Sequence, residues 1–365
     1  MTIKRRTLLG GMLLAPAVGA VCGRAAAAQS AGNGDGEWRD YDAWLRGQAG
    51  AGGFAGSVLV ARGERVLLRR GYGLADRARQ VANTARTRFC VASMGKMFTG
   101  VAVAQLVGRG RLAFTDTVGA HLPGFPPEIA DRITVDQLLT HTAGMGDVLR
   151  RTPDGPPPPV TLAEQLRRIA AEPLLFEPGT RFGYSNSGFI VLGGIIERVT
   201  GRRYPDYVRD HVFRPAGMVD TAIRVYRAAD VPGMAHGYNG ATGADTSEDL
   251  QIGNPSGGAY STVVDMYRFA RALTRHRLLS PALTDTVVTG RVATGRPGPG
   301  EDRYGYGFGD QRLNGVRIVG HNGGNPGYEG ELDIYLGKGY SVVILMNQDG
   351  LLQPALRRSQ DLLSG

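Results

Sequence analysis

The sequence predicts a mixed α/β (α+β) fold: an antiparallel sheet flanked by helices, formed by both chain ends, with a mostly helical region inserted between them. Three observations carry this expectation. Apolar-rich runs read as strands at Ser57–Ala61 and Arg65–Leu68, and again at Tyr304–Gly309, Arg317–Val319, Glu331–Tyr335 and Tyr340–Met346. Helical patterning dominates from about Leu112 to Met218. A last helical run, from about Pro354 to Leu363, closes the chain. The expected organisation is one domain over residues 29–365. Residues 29–111 and 225–365 supply the sheet-containing part, and residues 112–224 the helical insertion. Hydrophobic residues make up 42% of the chain and charged ones 21%, as in ordinary globular proteins.

Residues 1–28 read as a leader. Lys4-Arg5-Arg6 is a basic start with paired arginines, an apolar stretch follows from about Leu8 to Val21, and Ala26-Ala27-Ala28 suits cleavage before Gln29. The paired arginines point to the twin-arginine route, so the expectation is a bacterial exported protein, periplasmic or secreted. Gly10, Gly11, Pro16 and Gly19 interrupt the apolar run, which falls short of a membrane span, so no stable insertion is expected after cleavage. Four basic residues and no acidic one leave with the leader, and the formal charge falls from +9 to +5. No dense basic run remains, which argues against nucleic-acid binding. Cys22 leaves as well. Cys90 is then alone and cannot form an intrachain disulfide; it is either a reactive thiol or a small packed residue.

The remaining elements follow in order. Trp38–Leu45 looks helical. The runs flanking Arg62-Gly63 read as a hairpin. Ser93 to about Val107 is apolar almost all round (Met97, Phe98, Val101, Val103, Leu106), which describes a buried helix. A serine at its start sits among unpaired backbone N–H groups, a setting that favours developing negative charge. Thr134 and Asp136 open a short helix ending at Leu139; Thr161–Ala171 is amphipathic; Ser187–Val199 is strongly apolar and closes at Gly201; Thr262–Leu273 reads as another helix. Pro156–Pro159 interrupts the insertion as a polyproline loop, and Gly and Pro cluster at residues 295–300. Loops at 150–160 and 291–303 are the expected determinants of substrate choice.

The chain holds three lysines, Lys4, Lys96 and Lys338, among 42 Lys+Arg. Arginine does not release its proton near neutral pH, whereas a desolvated lysine can. Lys96 completes Ser93-Met94-Gly95-Lys96, and residues three apart share a helix face. Its amine therefore lies beside the Ser93 hydroxyl, where it can help to activate a nucleophile. A second segment, Tyr184-Ser185-Asn186-Ser187, sits at the turn that opens an apolar helix, where Asn186 or Ser187 also suits a cap. A third, His321-Asn322-Gly323-Gly324, follows a strand; its glycines either let a substrate lie against backbone or form a hairpin. The other histidines, His141 among them, show no metal-ligand spacing. With no His-Glu-x-x-His or Cys-x-x-Cys, neither a metal nor a cofactor is implied.

Ser-x-x-Lys, Tyr-x-Asn about 90 residues on and His-x-Gly near the C-terminus together resemble the serine β-lactamase and penicillin-binding superfamily. The likeness is to the class C β-lactamases and the related D-alanyl-D-alanine carboxypeptidases. Leu138–Gly144, Phe213–Met218 and Gly257–Thr262 look like further segments of that family in the same order, and the resemblance covers about residues 38–363. It implies a β-lactamase/transpeptidase-like fold and an acyl-serine hydrolase acting on a small-molecule or peptide substrate. Ser93 would be acylated. Lys96 and Tyr184 would share the roles of base and proton donor, either with Lys96 charged beside a partly ionised Tyr184 or with Lys96 neutral. Asn186 would hold Lys96 and a substrate amide, and the N–H groups of Ser93 and Gly324 would form the oxyanion hole. His321 and Gly323 would contribute to substrate binding. The family's β-lactamases usually carry lysine where this chain has His321, so a D-peptidase or esterase is favoured over an efficient β-lactamase. The alternative is a penicillin-binding or acyl-accepting protein with little or no turnover.

Overall fold

A computed structural model of the protein describes residues 34–150, 157–295 and 300–365. The leader 1–28, Pro156 of the proline run and residues 296–299 of the Gly/Pro cluster lie outside the described residues.

The principal sheet has eight strands, all pairs antiparallel. The N-terminal hairpin, Gly56–Arg62 with Arg65–Tyr72, turns through Gly63 at φ 57°. Its first strand pairs with Tyr340–Met346, almost the last element of the chain. The strands Tyr328–Tyr335, Val316–Asn325, Gly309–Leu313, Glu301–Tyr304 and Val292–Ala293 continue the sheet outward from there. Both chain ends thus meet in one sheet, as the distribution of apolar runs predicts.

The sheet separates two cores, and its central strands feed both. In Gly56–Arg62, Val58 and Val60 face one core and Leu59 and Ala61 the other; in Tyr340–Met346, Val342 and Ile344 oppose Val343 and Leu345. Covering on both faces explains why these strands read as continuous apolar runs rather than alternating ones. The terminal helices Gly34–Gly50 and Leu352–Ser364 cover one face, and Tyr41 donates its hydroxyl proton to the Ala355 carbonyl at 2.9 Å. The larger core holds the helix Lys96–Gly108, buried from Lys96 to Leu106, and the helices around it. Phe98 meets Phe213 and Phe269 edge to face, with ring centres 5.0 Å apart in each pair.

Helix limits follow the expected chemistry. Thr134 caps Val135–Leu139 with a full capping box, Thr161 caps Leu162–Ala170, Ser185 caps Asn186–Thr200, and Thr262 caps Val263–Thr274. Gly201 ends its helix in the left-handed conformation at φ 68°. Two expectations are corrected. Tyr304–Gly309 is not a strand: Glu301–Tyr304 ends there, a turn bonds Gly305 N–H to the Phe308 carbonyl at 2.7 Å, and a new strand starts at Gly309. Gly307 adopts φ 83°, and a Cβ on it would lie 2.5 Å from the Lys96 carbonyl oxygen. The His321 segment does not follow a strand but lies within Val316–Asn325. The helix Pro281–Val288 was not foreseen, although Ser280 and Pro281 are a standard cap and first-turn pair.

Candidate active site

Ser93 opens a three-residue 3-10 turn, Ser93–Gly95, that runs directly into the helix Lys96–Gly108. As the first residue of the turn, it has an N–H with no acceptor inside it. Ala92, just before it, is held at φ 42°, a conformation that costs a non-glycine residue about 1–3 kcal/mol. Two glycines make this possible. A Cβ on Gly257 would lie 2.5 Å from the Ala92 carbonyl oxygen, and a Cβ on Gly323 would lie 2.3 Å from that of Val91. The segment Phe89–Ala92 is therefore clamped between Ala259–Ser261, with which it pairs, and the Val316–Asn325 strand. The Ser93 hydroxyl is held at a half-buried position.

Lys96 is fully buried. Its Nζ lies 3.3 Å from Ser93 Oγ, 2.7 Å from Asn186 Oδ1 and 2.7 Å from the Ser256 carbonyl oxygen. An ammonium has three N–H donors, and these three oxygens account for all of them. The same nitrogen lies 4.7 Å from the centre of the Tyr184 ring and 5.5 Å from that of Phe189. Asn186 Nδ2 donates to Asp147 Oδ2 at 2.8 Å, which turns the amide oxygen toward Lys96. Tyr184 precedes the Ser185 cap, so the helix start places both Tyr184 and Asn186 at Lys96.

The strand's alternation decides what the third motif presents. Val319 belongs to the larger core, so His321 and Gly323, two and four residues on, face the Ser93 side. Asn322 points to the other face and is exposed. His321 is buried, and its Nε2 lies 2.8 Å from the Tyr304 hydroxyl. Around it stand Tyr184, at 6.4 Å between ring centres, and Tyr304, at 5.6 Å. His141 joins this group, 4.3 Å from the Tyr184 ring and 4.7 Å from the Tyr304 ring. Its Nδ1 accepts the Ser185 backbone N–H at 3.1 Å, so its proton is on Nε2 when the ring is neutral. Gly324 lines the cavity over Ser93, with open space where a Cβ would stand.

That cavity holds about 240 Å³ and is lined by Ser93, Asp147, Asn186, Ser256 and Gly324, with Leu149, Leu250 and Ile252 adding apolar surface. Asp147 is the only charged side chain lining it among the described residues. Cys90 lies beneath, fully buried; burial pushes its thiol pKa up, and a protonated thiol is a poor nucleophile, which resolves its two readings in favour of packing. No group of three or more His, Cys, Asp or Glu side chains suited to a metal occurs among the described residues. No helix among them is long and apolar enough to cross a membrane.

The structure thus brings together Ser93, Lys96, Tyr184, Asn186, His321, Gly323 and Gly324, which lie far apart in sequence. Sequence reasoning missed Asp147, Ser256 and Tyr304. Ser256 immediately precedes the Gly257-Gly258 pair already singled out, and Asp147 lies three residues after Gly144 of a family-like segment. Nothing local marks Tyr304. Comparison with known proteins identifies a family: the sequence profile of the Beta-lactamase family matches residues 41–364. The chain belongs to the β-lactamase family.

Among family members, PbpX of Bacillus subtilis (strain 168), a candidate penicillin-binding protein, is 30% identical over 262 residues, covering 70% of this chain and 62% of PbpX. The chain thus spans less than two thirds of that relative's length. Esterase EstB of Burkholderia gladioli is 30% identical over 313 residues, covering 75% of this chain and 78% of EstB. The crystal structure of a penicillin-binding protein from Bacillus halodurans superposes with a TM-score of 0.77 at 30% identity, covering 87% of this chain and 98% of that one. A large antiparallel sheet with flanking helices is therefore the family fold here too, and the family is one of serine hydrolases and their penicillin-binding relatives.

Proposed function

We propose that this protein is an exported serine hydrolase that cleaves amide or ester bonds through an acyl-Ser93 intermediate, and that it prefers peptide-type amides or esters to carboxylate-bearing β-lactams. The observation that carries this reading is the bonding of Lys96: its three donors are met by Ser93 Oγ, Asn186 Oδ1 and the Ser256 carbonyl. With Lys96 as an ammonium beside it, Tyr184 acts as the phenolate and takes the Ser93 proton, becoming the neutral phenol, as Oγ bonds to the substrate carbonyl carbon. The N–H groups of Ser93 and Gly324 receive the oxyanion, each worth about 3 kcal/mol. The proton then passes to the leaving amine or alcohol as the C–N or C–O bond breaks. Water, deprotonated by the same group, attacks the acyl carbon and releases the acid and Ser93.

The preference rests on charge. Among the described residues the cavity is lined by Asp147 and by no lysine or arginine, which disfavours a substrate carboxylate. His321 faces Tyr304 with Nε2, whereas an anchoring lysine would offer a full positive charge. The 30% identity to EstB supports ester turnover. Reaction of the mature protein with a fluorophosphonate, followed by peptide mass spectrometry, is expected to place the adduct on Ser93, and Ser93→Ala to lose hydrolysis of aryl esters by at least about a thousandfold. An adduct elsewhere, or unchanged turnover in Ser93→Ala, rejects the reading. An acyl-Ser93 that forms but does not turn over identifies a penicillin-binding protein instead.

A further inference from the structure

The Ser256 carbonyl that receives the third Lys96 N–H belongs to a tight turn. Asn254 N–H donates to the Gly257 carbonyl at 2.8 Å, and Gly257 N–H to that of Asn254 at 3.1 Å. Asn254 Oδ1 accepts both the Ser256 backbone N–H and the Ser256 hydroxyl, each at 2.8 Å. The Pro255 carbonyl, one residue earlier, accepts from Thr99 Oγ1 at 2.6 Å. Lys96 and Thr99 are three apart on one helix and share a face, so that face holds two successive carbonyls of the turn. The helix Asn186–Thr200 makes room for the same turn: a Cβ on Gly193 would lie 2.0 Å from Pro255 Cγ. Thr99 has one hydroxyl proton and gives it to Pro255. Its 2.6 Å contact with Tyr204 therefore runs the other way, with the phenol donating to Thr99 Oγ1. Thr99 and Tyr204 are both fully buried, and neither lines the cavity over Ser93. Burial pushes the Tyr204 pKa up, which keeps the phenol a donor.

We propose that Thr99 and Tyr204 are positioning residues for the acylation of Ser93: the chain Tyr204–Thr99–Pro255 fixes the turn so that the Ser256 carbonyl stays on Lys96 and keeps it an ammonium beside Tyr184. The link joins three parts of the molecule. Thr99 comes from the helix that carries Lys96, Tyr204 from the helical insertion, and Pro255 from the C-terminal part. A buried ammonium deprived of one acceptor is disfavoured against the neutral amine. With the amine neutral, Tyr184 keeps its own proton, and the phenolate that takes the Ser93 proton is lost. Asp147 faces Lys96 through Asn186, and His141 and His321 face the Tyr184 ring; all of these groups stay in place in the variants below. The inference rests on the acyl-Ser93 reading above, since it concerns the proton acceptor of that reaction.

The test is fluorophosphonate labelling at Ser93, whose saturation kinetics separate affinity for the probe from the rate of the covalent step. Thr99→Val keeps the side-chain shape and loses the hydroxyl. It is expected to lower the maximal labelling rate by about tenfold or more with half-saturation little changed, whereas Thr99→Ser stays within about threefold of wild type. The pH profile supplies the second readout. Because the charged amine is held less tightly, labelling by Thr99→Val should fall off on the alkaline side about one pH unit earlier than in the wild type. A merely structural defect slows labelling equally at every pH. Tyr204→Phe keeps the ring and removes the donor to Thr99; it is expected to move the same limb the same way by about half a unit, and it decides the test where Thr99→Val fails to fold. An unmoved alkaline limb, or Thr99→Ser as slow as Thr99→Val, overturns the positioning role while Ser93 of the wild type still labels. Absence of an adduct on wild-type Ser93 removes the underlying reaction, and the positioning role with it.

Discussion

His141 holds φ 58° while its Nδ1 accepts the Ser185 N–H, and its ring touches both Tyr184 and Tyr304. The acceptor fixes the turn that carries Tyr184 and Asn186, so its removal leaves a buried N–H unpaired at a cost of about 1–3 kcal/mol. His141→Asn places an amide oxygen where Nδ1 stood and tolerates the left-handed backbone. His141→Phe keeps the ring and loses the acceptor. The expected outcome is a kcat about tenfold or more lower in His141→Phe and within about threefold of wild type in His141→Asn, with KM little changed in both. Steady-state kinetics with the rate of fluorophosphonate labelling at Ser93 checks it, and equal loss in the two variants rejects the acceptor role. This residue also marks a boundary of what sequence shows. Ser93 and Lys96 are readable as neighbours because three residues on a helix fix their relation. His141 meets Ser185, 44 positions further along the chain, and no periodicity encodes that contact.

At the scale of elements, the site is the crossing of a strained turn and two strands. Gly323 sits in the Val316–Asn325 strand because the Val91 carbonyl passes 2.3 Å from where its Cβ would be. Gly323→Ala must push Phe89–Ala92, and with it Ser93, out of place. Overpacking of this kind costs about 1–3 kcal/mol, and the expected result is a lower denaturation midpoint together with slower acylation of Ser93. Gly324→Ala, with nothing within 4 Å of its Cβ, should leave the midpoint near that of the wild type, a contrast that urea denaturation of the pair resolves. Strand and helix types were legible here: the caps at Thr134, Thr161 and Thr262 are local chemistry. The strand limits were not. The Tyr304–Gly309 run has apolar residues at strand spacing, but Gly307 lies against the Lys96 carbonyl and the chain turns there instead.

At the scale of the whole molecule, the terminal helices seal the sheet face opposite the site, and one carboxyl group is sealed with them. Asp333, on a central strand, bonds Gln360 Nε2 of the C-terminal helix at 3.1 Å and the Tyr335 hydroxyl at 3.4 Å. Desolvation raises its pKa from 3.8 to about 6, against smaller lowering by the Gln360 and Tyr335 hydrogen bonds. The folded state then holds this proton more tightly than the unfolded state, so the contribution to stability is full at low pH and is lost as pH rises from about 4 through about 6. Two pKa units correspond to about 3 kcal/mol. Asp333→Asn removes the titration. Its stability relative to wild type is expected to rise by an amount of this order between pH 4 and pH 7, measured by urea denaturation at each pH. A constant difference across that range rejects the assignment.

The sequence by itself determined the class of fold, the order of its parts and the family to which it belongs. Those properties rest on local periodicity, caps and motif spacing, each written within a few residues. Only the tertiary structure decided that Asp147 orients Asn186, that Ser256 offers its carbonyl to Lys96, that Tyr304 meets His321, and that Thr99 reaches the Pro255 carbonyl. Each of these is a pairing of polar groups brought together by sheet register and by the packing of two cores, and a hydrogen bond between distant segments has no period to read.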